Sequence, residues 1–165
     1  MEKIKDPGTI LTRKATLKDI DTLLVFEQGV IKAERPFDKT LKPDPLHYYD
    51  IEEMINAPHI ELVVAEYNGE VIGSGYARLE NSKHYLQHSK HAYLGFMYVD
   101  PNYRGKGVNQ KIIEALKNWT VLQNVTEMRL DVYFNNDIAI KAYEKAGFTK
   151  HMIEMRMDII HDKYP

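Results

Sequence analysis

The chain contains no cysteine among its 165 residues. This absence excludes disulfides, a catalytic thiolate and zinc sites built on cysteine. The sequence also lacks any apolar run near the roughly 18 residues that a membrane-spanning helix requires. Residues 1–12 lack the apolar stretch of a secretory signal. We therefore expect a cytoplasmic protein with no membrane partner.

Neither sign of charge is in large excess: the sequence contains 22 Lys and Arg residues and 24 Asp and Glu residues, which give a formal net charge of −2. Such a balance provides no general attraction to a phosphate backbone, and no basic stripe interrupts it. We expect no nucleic-acid partner. A content of 44% hydrophobic and 28% charged residues is typical of a folded protein of this length. We expect one domain over residues 1–165.

Alternating apolar residues and turn signals predict six strands, and 3.6-residue periodicity predicts four helices. Asn68-Gly69 favours a two-residue hairpin. The hairpin and the strand–helix–strand order together predict an α/β fold with a mixed sheet. The last strand could finish its own sheet or pair across a homodimer. The predicted strands are residues 9–15, 60–67, 70–79, 92–99, 128–133 and 148–159, and the helices are residues 16–31, 49–56, 105–122 and 135–146.

The most informative stretch is residues 98–109, which predicts a strand, a turn and a helix start. Its glycines, Gly105 and Gly107, let the backbone approach a ligand, and the free N–H groups of a helix start bind anions. Arg104 and Lys106 add positive charge, so a pyrophosphate fits this loop. A nucleotide P-loop needs Ser or Thr after Gly-Lys, and the dinucleotide fingerprint needs a third glycine. Both alternatives fail on spacing.

A second informative stretch is residues 135–148. Asn136, Ala139 and Tyr143 lie at i, i+3 and i+7, so they share one face of the predicted helix. Asn135 or Asn136 is suited to the N-cap, and Gly147 is suited to close the helix in the left-handed conformation. This face therefore presents an amide, a small gap and a phenol side by side.

Together the two stretches resemble the GNAT superfamily of N-acetyltransferases. Its pyrophosphate motif is Arg or Gln, two residues, Gly, one residue, then Gly or Ala, and Arg104, Gly107 and Asn109 fall on it; Asn109 departs at the last position. The second stretch is similar to the family's Asn-x-x-Ala-x-x-x-Tyr-Glu-Lys-x-Gly-Phe. The resemblance implies a mixed sheet of six or seven strands, splayed at its centre and flanked by about four helices.

The resemblance also implies acetyl-CoA as cosubstrate, bound by a core of about residues 92–148, with an acceptor-side segment of about residues 16–60. Main-chain groups of the strand before the loop would pair with the pantetheine arm, and a backbone N–H near Met97 or Tyr98 would stabilise the oxyanion. Tyr143 would face the departing sulfur. The implied cofactor-binding residues are Met97, Tyr98, Val99, Arg104, Gly105, Lys106, Gly107, Val108, Asn109, Asn136, Ala139 and Tyr143.

An amine that attacks a thioester must lose its proton, because an alkyl amine is neutral only about once in two thousand molecules at pH 7. Glu27 and Glu34 are the candidate general bases on the acceptor side. Ten acids against four bases from Asp19 to Glu61 favour a cationic acceptor. We expect an N-acetyltransferase for a primary amine of a small molecule; the alternatives are a peptide or protein N-acetyltransferase and a noncatalytic acyl-CoA sensor.

Histidines recur at positions 84, 88 and 91, a spacing that could gather imidazoles on a helix. The surrounding serines and lysines instead favour a polar loop between two strands. We therefore expect no metal site.

Overall fold

The computed structural model describes residues 8–160, and the chain forms two compact units that meet in sequence between Asp131 and Val132. No helix within residues 8–160 is long and apolar enough to cross a membrane. The first unit contains a five-stranded sheet and three α-helices, and the second contains one α-helix. The strands are β1 (Leu11–Lys14), β2 (Ile60–Tyr67), β3 (Glu70–Asn81), β4 (Lys90–Val99) and β5 (Met128–Leu130), and the helices are α1 (Ile20–Glu34), α2 (Ile51–Asn56), α3 (Val108–Leu122) and α4 (Asp137–Lys145).

The sheet has the spatial order β1-β2-β3-β4-β5, with the first four strands antiparallel and β5 parallel to β4. The predicted mixed sheet is confirmed. Asn68 and Gly69 have φ of 51° and 81°, and positive φ at both central residues is what a favoured two-residue hairpin turn requires. The α3 crossover carries the chain from β4 to β5, because parallel neighbours need a long connection.

Helices cover both faces of the sheet. On one face α1 and α2 pack over a cluster that includes Leu62, Val64 and Phe96. On the other face α3 buries Ile112 and Leu116 against the central strands. Strand residues alternate between the faces, so β2 contributes to both halves of the core.

The entry to α1 is fixed by an ion-pair network. Arg13 on β1 donates to both oxygens of Asp19 at 2.8 and 2.9 Å, and to Glu66 on β2. Asp19 also accepts the backbone N–H of Thr16 at 2.7 Å, as part of a capping box. The Arg13 guanidinium lowers the pKa of the Asp19 carboxyl to about 2.

Residues 8–160 contain five strands rather than six or seven, because one strand predicted on the C-terminal side is shorter and another is absent. The strand predicted for residues 128–133 ends at Leu130, and residues 148–158 form no strand. Ile153, Met155 and Met157 do alternate with polar residues, as a strand would. Alternation fixes which side chains share a face, whereas strand formation also requires a neighbouring backbone to hydrogen-bond with.

Candidate active site

The end of β4 carries a β-bulge. Ser74 pairs with Tyr98 while Tyr76 pairs with Gly95, so one residue of β3 lies opposite two residues of β4. Phe96, one of those two, is 2% exposed and has a φ of 54°, a conformation that L-residues seldom adopt. Ser74 Oγ donates to the Phe96 carbonyl oxygen at 3.1 Å and supports it there. Such bulges commonly redirect a strand beside a functional site.

Past the bulge, β4 has an open edge. The register between β4 and β5 covers only Ala92–Leu94, because β5 ends at Leu130. Residues 95–99 therefore have no partner strand on that side among residues 8–131, although their other edge pairs with β3. The backbone groups of Met97, Tyr98 and Val99, all three of them predicted site residues, lie along this open stretch. An extended ligand can add to such an edge as a strand does.

The open edge leads directly into a glycine-rich helix start. After a short 3-10 helix (Pro101–Tyr103), Gly105 and Gly107 have φ of +74° and +80°. A Cβ built on either glycine meets no heavy atom within 4 Å, so left-handed geometry rather than crowding explains these glycines. Gly107 is the N-cap of α3, whose first N–H groups have no intrahelical partner.

The charges around this helix start suit an anion. Arg104 and Lys106 are exposed, and the first turn of α3 contains no acidic residue. Arg104 Nε donates to the Val99 carbonyl oxygen at 3.3 Å, which ties its side chain to the end of β4. Of the other predicted residues here, Val108 is buried in the core and Asn109 is half-buried. The helix dipole and both cations therefore favour a phosphate group at this position.

A cavity of about 450 Å³ lies beside the same helix start. Three lining residues, Gln110, Lys111 and Glu114, were not predicted. They stand at i+3, i+4 and i+7 from Gly107, so helical spacing alone identifies them as neighbours on one face. The full lining is Gly8, Ile10, Lys106, Gly107, Gln110, Lys111 and Glu114.

The predicted base Glu34 lies at the end of α1, half-buried. Its Oε2 accepts the Tyr48 hydroxyl at 2.9 Å. Burial raises the pKa of the Glu34 carboxyl, the Tyr48 hydrogen bond opposes that rise, and the negative charge of Asp38 adds to it. A carboxyl with a raised pKa is a stronger proton acceptor than a solvated one, as a general base requires. The Tyr48 contact was not predicted, because a separation of 14 residues across a loop has no local sequence pattern.

The other predicted base, Glu27, is fully buried on α1. Its carboxylate accepts the backbone N–H groups of Tyr48 and Tyr49 at 2.7 and 2.8 Å and contacts His47 Nδ1 at 2.8 Å. Both oxygens of Glu27 are therefore engaged with the loop before α2, in contrast to the more accessible Glu34.

The second unit carries the remaining predicted residues on α4. Asn136 is the N-cap and its Oδ1 accepts the N–H of Ala139 at 3.3 Å. Asn136, Ala139 and Tyr143 are all half-buried, whereas residues 141, 142, 144 and 145 are exposed, so the predicted face exists. The Tyr143 ring lies edge-on to Phe148 at 6.0 Å between centroids, and Gly147 has a φ of +103° as expected of the helix end.

The histidines do not form a metal centre. His88 Nε2 lies 3.1 Å from Glu127, and His91 contacts Ser82 and Glu80. Within residues 8–160, no group of three or more His, Cys, Asp or Glu side chains could hold a metal ion.

Residues 28–148 match the model of the Acetyltransferase (GNAT) family. That match covers both the glycine-rich helix start and α4, and the chain belongs to this family. As a member of this family it is an acyltransferase that uses acetyl-CoA as cosubstrate.

Three similar proteins illustrate the relationship. Aminoglycoside N(6')-acetyltransferase type 1 of Salmonella typhimurium is 29% identical over 107 residues, which are 64% of this chain and 74% of the relative. A predicted acetyltransferase of Clostridium acetobutylicum, solved with acetyl-CoA, has a TM-score of 0.68 at 18% identity, covering 94% of this chain and 100% of that one. The aminoglycoside N-acetyltransferase AAC(6')-Iy, solved with CoA, has a TM-score of 0.70 at 25% identity, covering 93% and 98%.

Proposed function

We propose that this protein acetylates a primary amine of a small cationic molecule by direct attack in a ternary complex. The observation that carries the proposal is the open edge of residues 95–99 leading into the glycine-rich start of α3. An extended thioester arm along the edge places its diphosphate at the helix start. A peptide or protein amine is the alternative acceptor.

Within the first unit, the proposed cosubstrate contacts are the three backbone-edge residues and the loop; the proposed contacts on α4 follow from the family resemblance. The edge hydrogen-bonds the arm, the loop binds the diphosphate, and the Asn136 amide holds the arm at α4. The proposed cofactor-binding residues are Met97, Tyr98, Val99, Arg104, Gly105, Lys106, Gly107, Val108, Asn109, Asn136, Ala139 and Tyr143.

In the proposed reaction, Glu34 accepts a proton from the ammonium group of the acceptor, directly or through water. The neutral nitrogen forms a bond to the thioester carbon, and a backbone N–H near Met97 stabilises the resulting oxyanion. The carbon–sulfur bond then breaks, and Tyr143 hydrogen-bonds the leaving thiolate. One of the two protons left on the nitrogen passes to solvent or to sulfur, and the amide product keeps the other. Glu34 is favoured over Glu27 because it is more accessible and its pKa is raised.

The proposed acceptor is cationic because Glu34 and Asp38 contribute negative charge beside the aromatic rings of Tyr48 and Tyr49. Such a pairing of carboxylate and ring faces attracts ammonium groups. The names of the aminoglycoside-acetylating relatives agree with a multiply charged acceptor.

Release of free CoA thiol across a panel of amines tests the proposal. The panel contains aminoglycosides, polyamines, amino sugars and lysine-containing peptides, each with the wild type and with Tyr143→Phe. We expect turnover with one small-amine class, and a tenfold to thousandfold lower kcat in the variant with unchanged KM for acetyl-CoA. Turnover of peptides alone would reverse the acceptor assignment, and an unaltered kcat would remove Tyr143 from the chemistry.

A further inference from the structure

A buried carboxylate, that of Glu27, lies on α1 ahead of the proposed base Glu34. Glu27 and Glu34 stand seven residues apart on α1, which is two turns, so they project from the same side of the helix. Glu27 is 0% exposed. Burying an ionised group is costly unless donors surround it. Its retention in the core therefore requires a structural or functional reason.

The donors around Glu27 all come from one short loop. Oε1 accepts the N–H groups of Tyr48 and Tyr49, and Oε2 contacts His47 Nδ1. Hydrogen bonds to a charged acceptor are stronger than neutral ones. Two backbone N–H groups and one side chain, on three consecutive residues, hold the backbone just before α2 in position and direction. We call residues 47–49 the clamped segment.

The side chains of the clamped segment point back to the proposed site. The Tyr48 hydroxyl donates to Glu34 Oε2 at 2.9 Å. The Tyr49 ring packs on Phe96, the bulge residue of β4, with 4.6 Å between centroids. A shift of the clamped segment would therefore move a hydrogen bond on Glu34 and a ring contact on the bulge together.

We infer that Glu27 is a positioning residue, which holds the clamped segment so that the Tyr48 hydroxyl stays on the Glu34 carboxylate. The inference deepens the proposed function, since it rests on Glu34 as general base. Glu27 itself takes no proton from the acceptor amine.

The direction of the effect follows from the groups that face Glu34. Tyr48 donates to it, Tyr49 lies nearby, Asp38 is a like charge, and the adjacent Arg35 is engaged with Asp44. A donated hydrogen bond favours the ionised carboxyl, so loss of the Tyr48 contact raises the pKa of Glu34 further. Less of the base is then ionised at low pH, and the acid limb of the kcat/KM profile moves to higher pH. The plateau at high pH remains.

Tyr48→Phe and Glu27→Met are the two principal variants. The first removes only the hydroxyl, and the second removes the acceptors at similar volume. Loss of one hydrogen bond corresponds to a twofold to tenfold lower kcat/KM on the acid limb. We expect both variants to show this loss, and the double variant to lose no more than Tyr48→Phe alone. Circular dichroism checks folding, and Glu27→Gln serves as a milder variant that should move the limb in the same direction.

Gln28→Ala is the matched control. Gln28 also joins α1 to this loop, through its Nε2 and the Leu46 carbonyl oxygen at 2.9 Å, but it lies at the surface and bonds one residue before the clamped segment. We expect its acid limb to coincide with that of the wild type. A general loosening of the loop would instead affect the control as well, and would lower the plateau.

A direct titration of the Glu34 carboxyl by carbon-13 NMR, with the resonance assigned by means of Glu34→Gln, distinguishes failure of the positioning role of Glu27 from failure of the assignment of Glu34 as base. If the Glu27 variants raise the Glu34 pKa while Glu34→Gln keeps a normal acid limb, the positioning role stands and the base assignment fails. Folded Glu27 variants with wild-type Glu34 titration would overturn the inference, as would a Tyr48→Phe variant with an unmoved limb.

Discussion

Gly107→Ala is the substitution that most directly tests the glycine-rich helix start. Gly107 has φ and ψ of 80° and 12°, and a Cβ at this position meets no heavy atom within 4 Å. The substitution therefore adds no clash within the protein. Its cost is confined to holding an L-residue in the left-handed region.

That conformational cost is about 1–2 kcal/mol. Because the loop around Gly107 is exposed, the free protein can relax to negative φ, and cosubstrate binding must then restore the strained conformation. A cost of 1–2 kcal/mol corresponds to a roughly 5- to 30-fold weaker Kd for CoA. Contact between the added methyl group and the bound diphosphate would weaken binding further, so the direction is the same.

Gly69→Ala provides a matched control. Gly69 has a φ of 81° and equally open space, but it lies in the hairpin turn between β2 and β3. The register on both sides holds that turn in place, so the same strain should appear as about 1–2 kcal/mol of lost stability. Calorimetric titration with CoA and urea unfolding of both variants give the two quantities. A Gly107→Ala protein that binds CoA as tightly as the wild type would refute the reasoning.

Three further outcomes follow from the charges of the structure. Arg104→Ala should weaken CoA binding several-fold at low salt and less at high salt, because the Arg104 guanidinium is exposed and screened; titrations at two ionic strengths measure the difference. Glu34→Gln should lower kcat/KM by about 10² to 10⁴. Burial raises the Glu34 pKa and disfavours the folded carboxylate, so the wild type should lose stability as pH rises through that pKa, and Glu34→Gln should not. Urea unfolding at a series of pH values measures this, and an equal pH dependence in both proteins would contradict it. Asp19→Asn should cost on the order of 2 kcal/mol at pH 7, because Arg13 lowers the Asp19 pKa from 3.8 to about 2. This contribution is complete above pH 3.8 and is lost as pH falls through 2, so equal wild-type and variant stabilities at pH 7 would exclude it.

Local chemistry in the sequence determined much of the fold. Asn68-Gly69 specifies its hairpin because both positions need positive φ, and Asn136 and Gly147 bound α4 because one caps the N-terminus and the other adopts the left-handed conformation. The glycine-rich start of α3 could be predicted from the sequence for the same reason. These features depend on residues within a few positions of one another.

Tertiary structure alone decided the features that join distant segments. The bulge at Phe96 depends on the register between β3 and β4, and the open edge beside it depends on where β5 stops. Glu27 and Glu34 are alike in the sequence as two acids on one helical face. A loop some 20 residues further on surrounds Glu27 with three donors, whereas it gives Glu34 a hydrogen bond from the Tyr48 hydroxyl. Burial and hydrogen-bond partners come from chain segments that only folding brings together, so no local pattern distinguishes the two carboxylates.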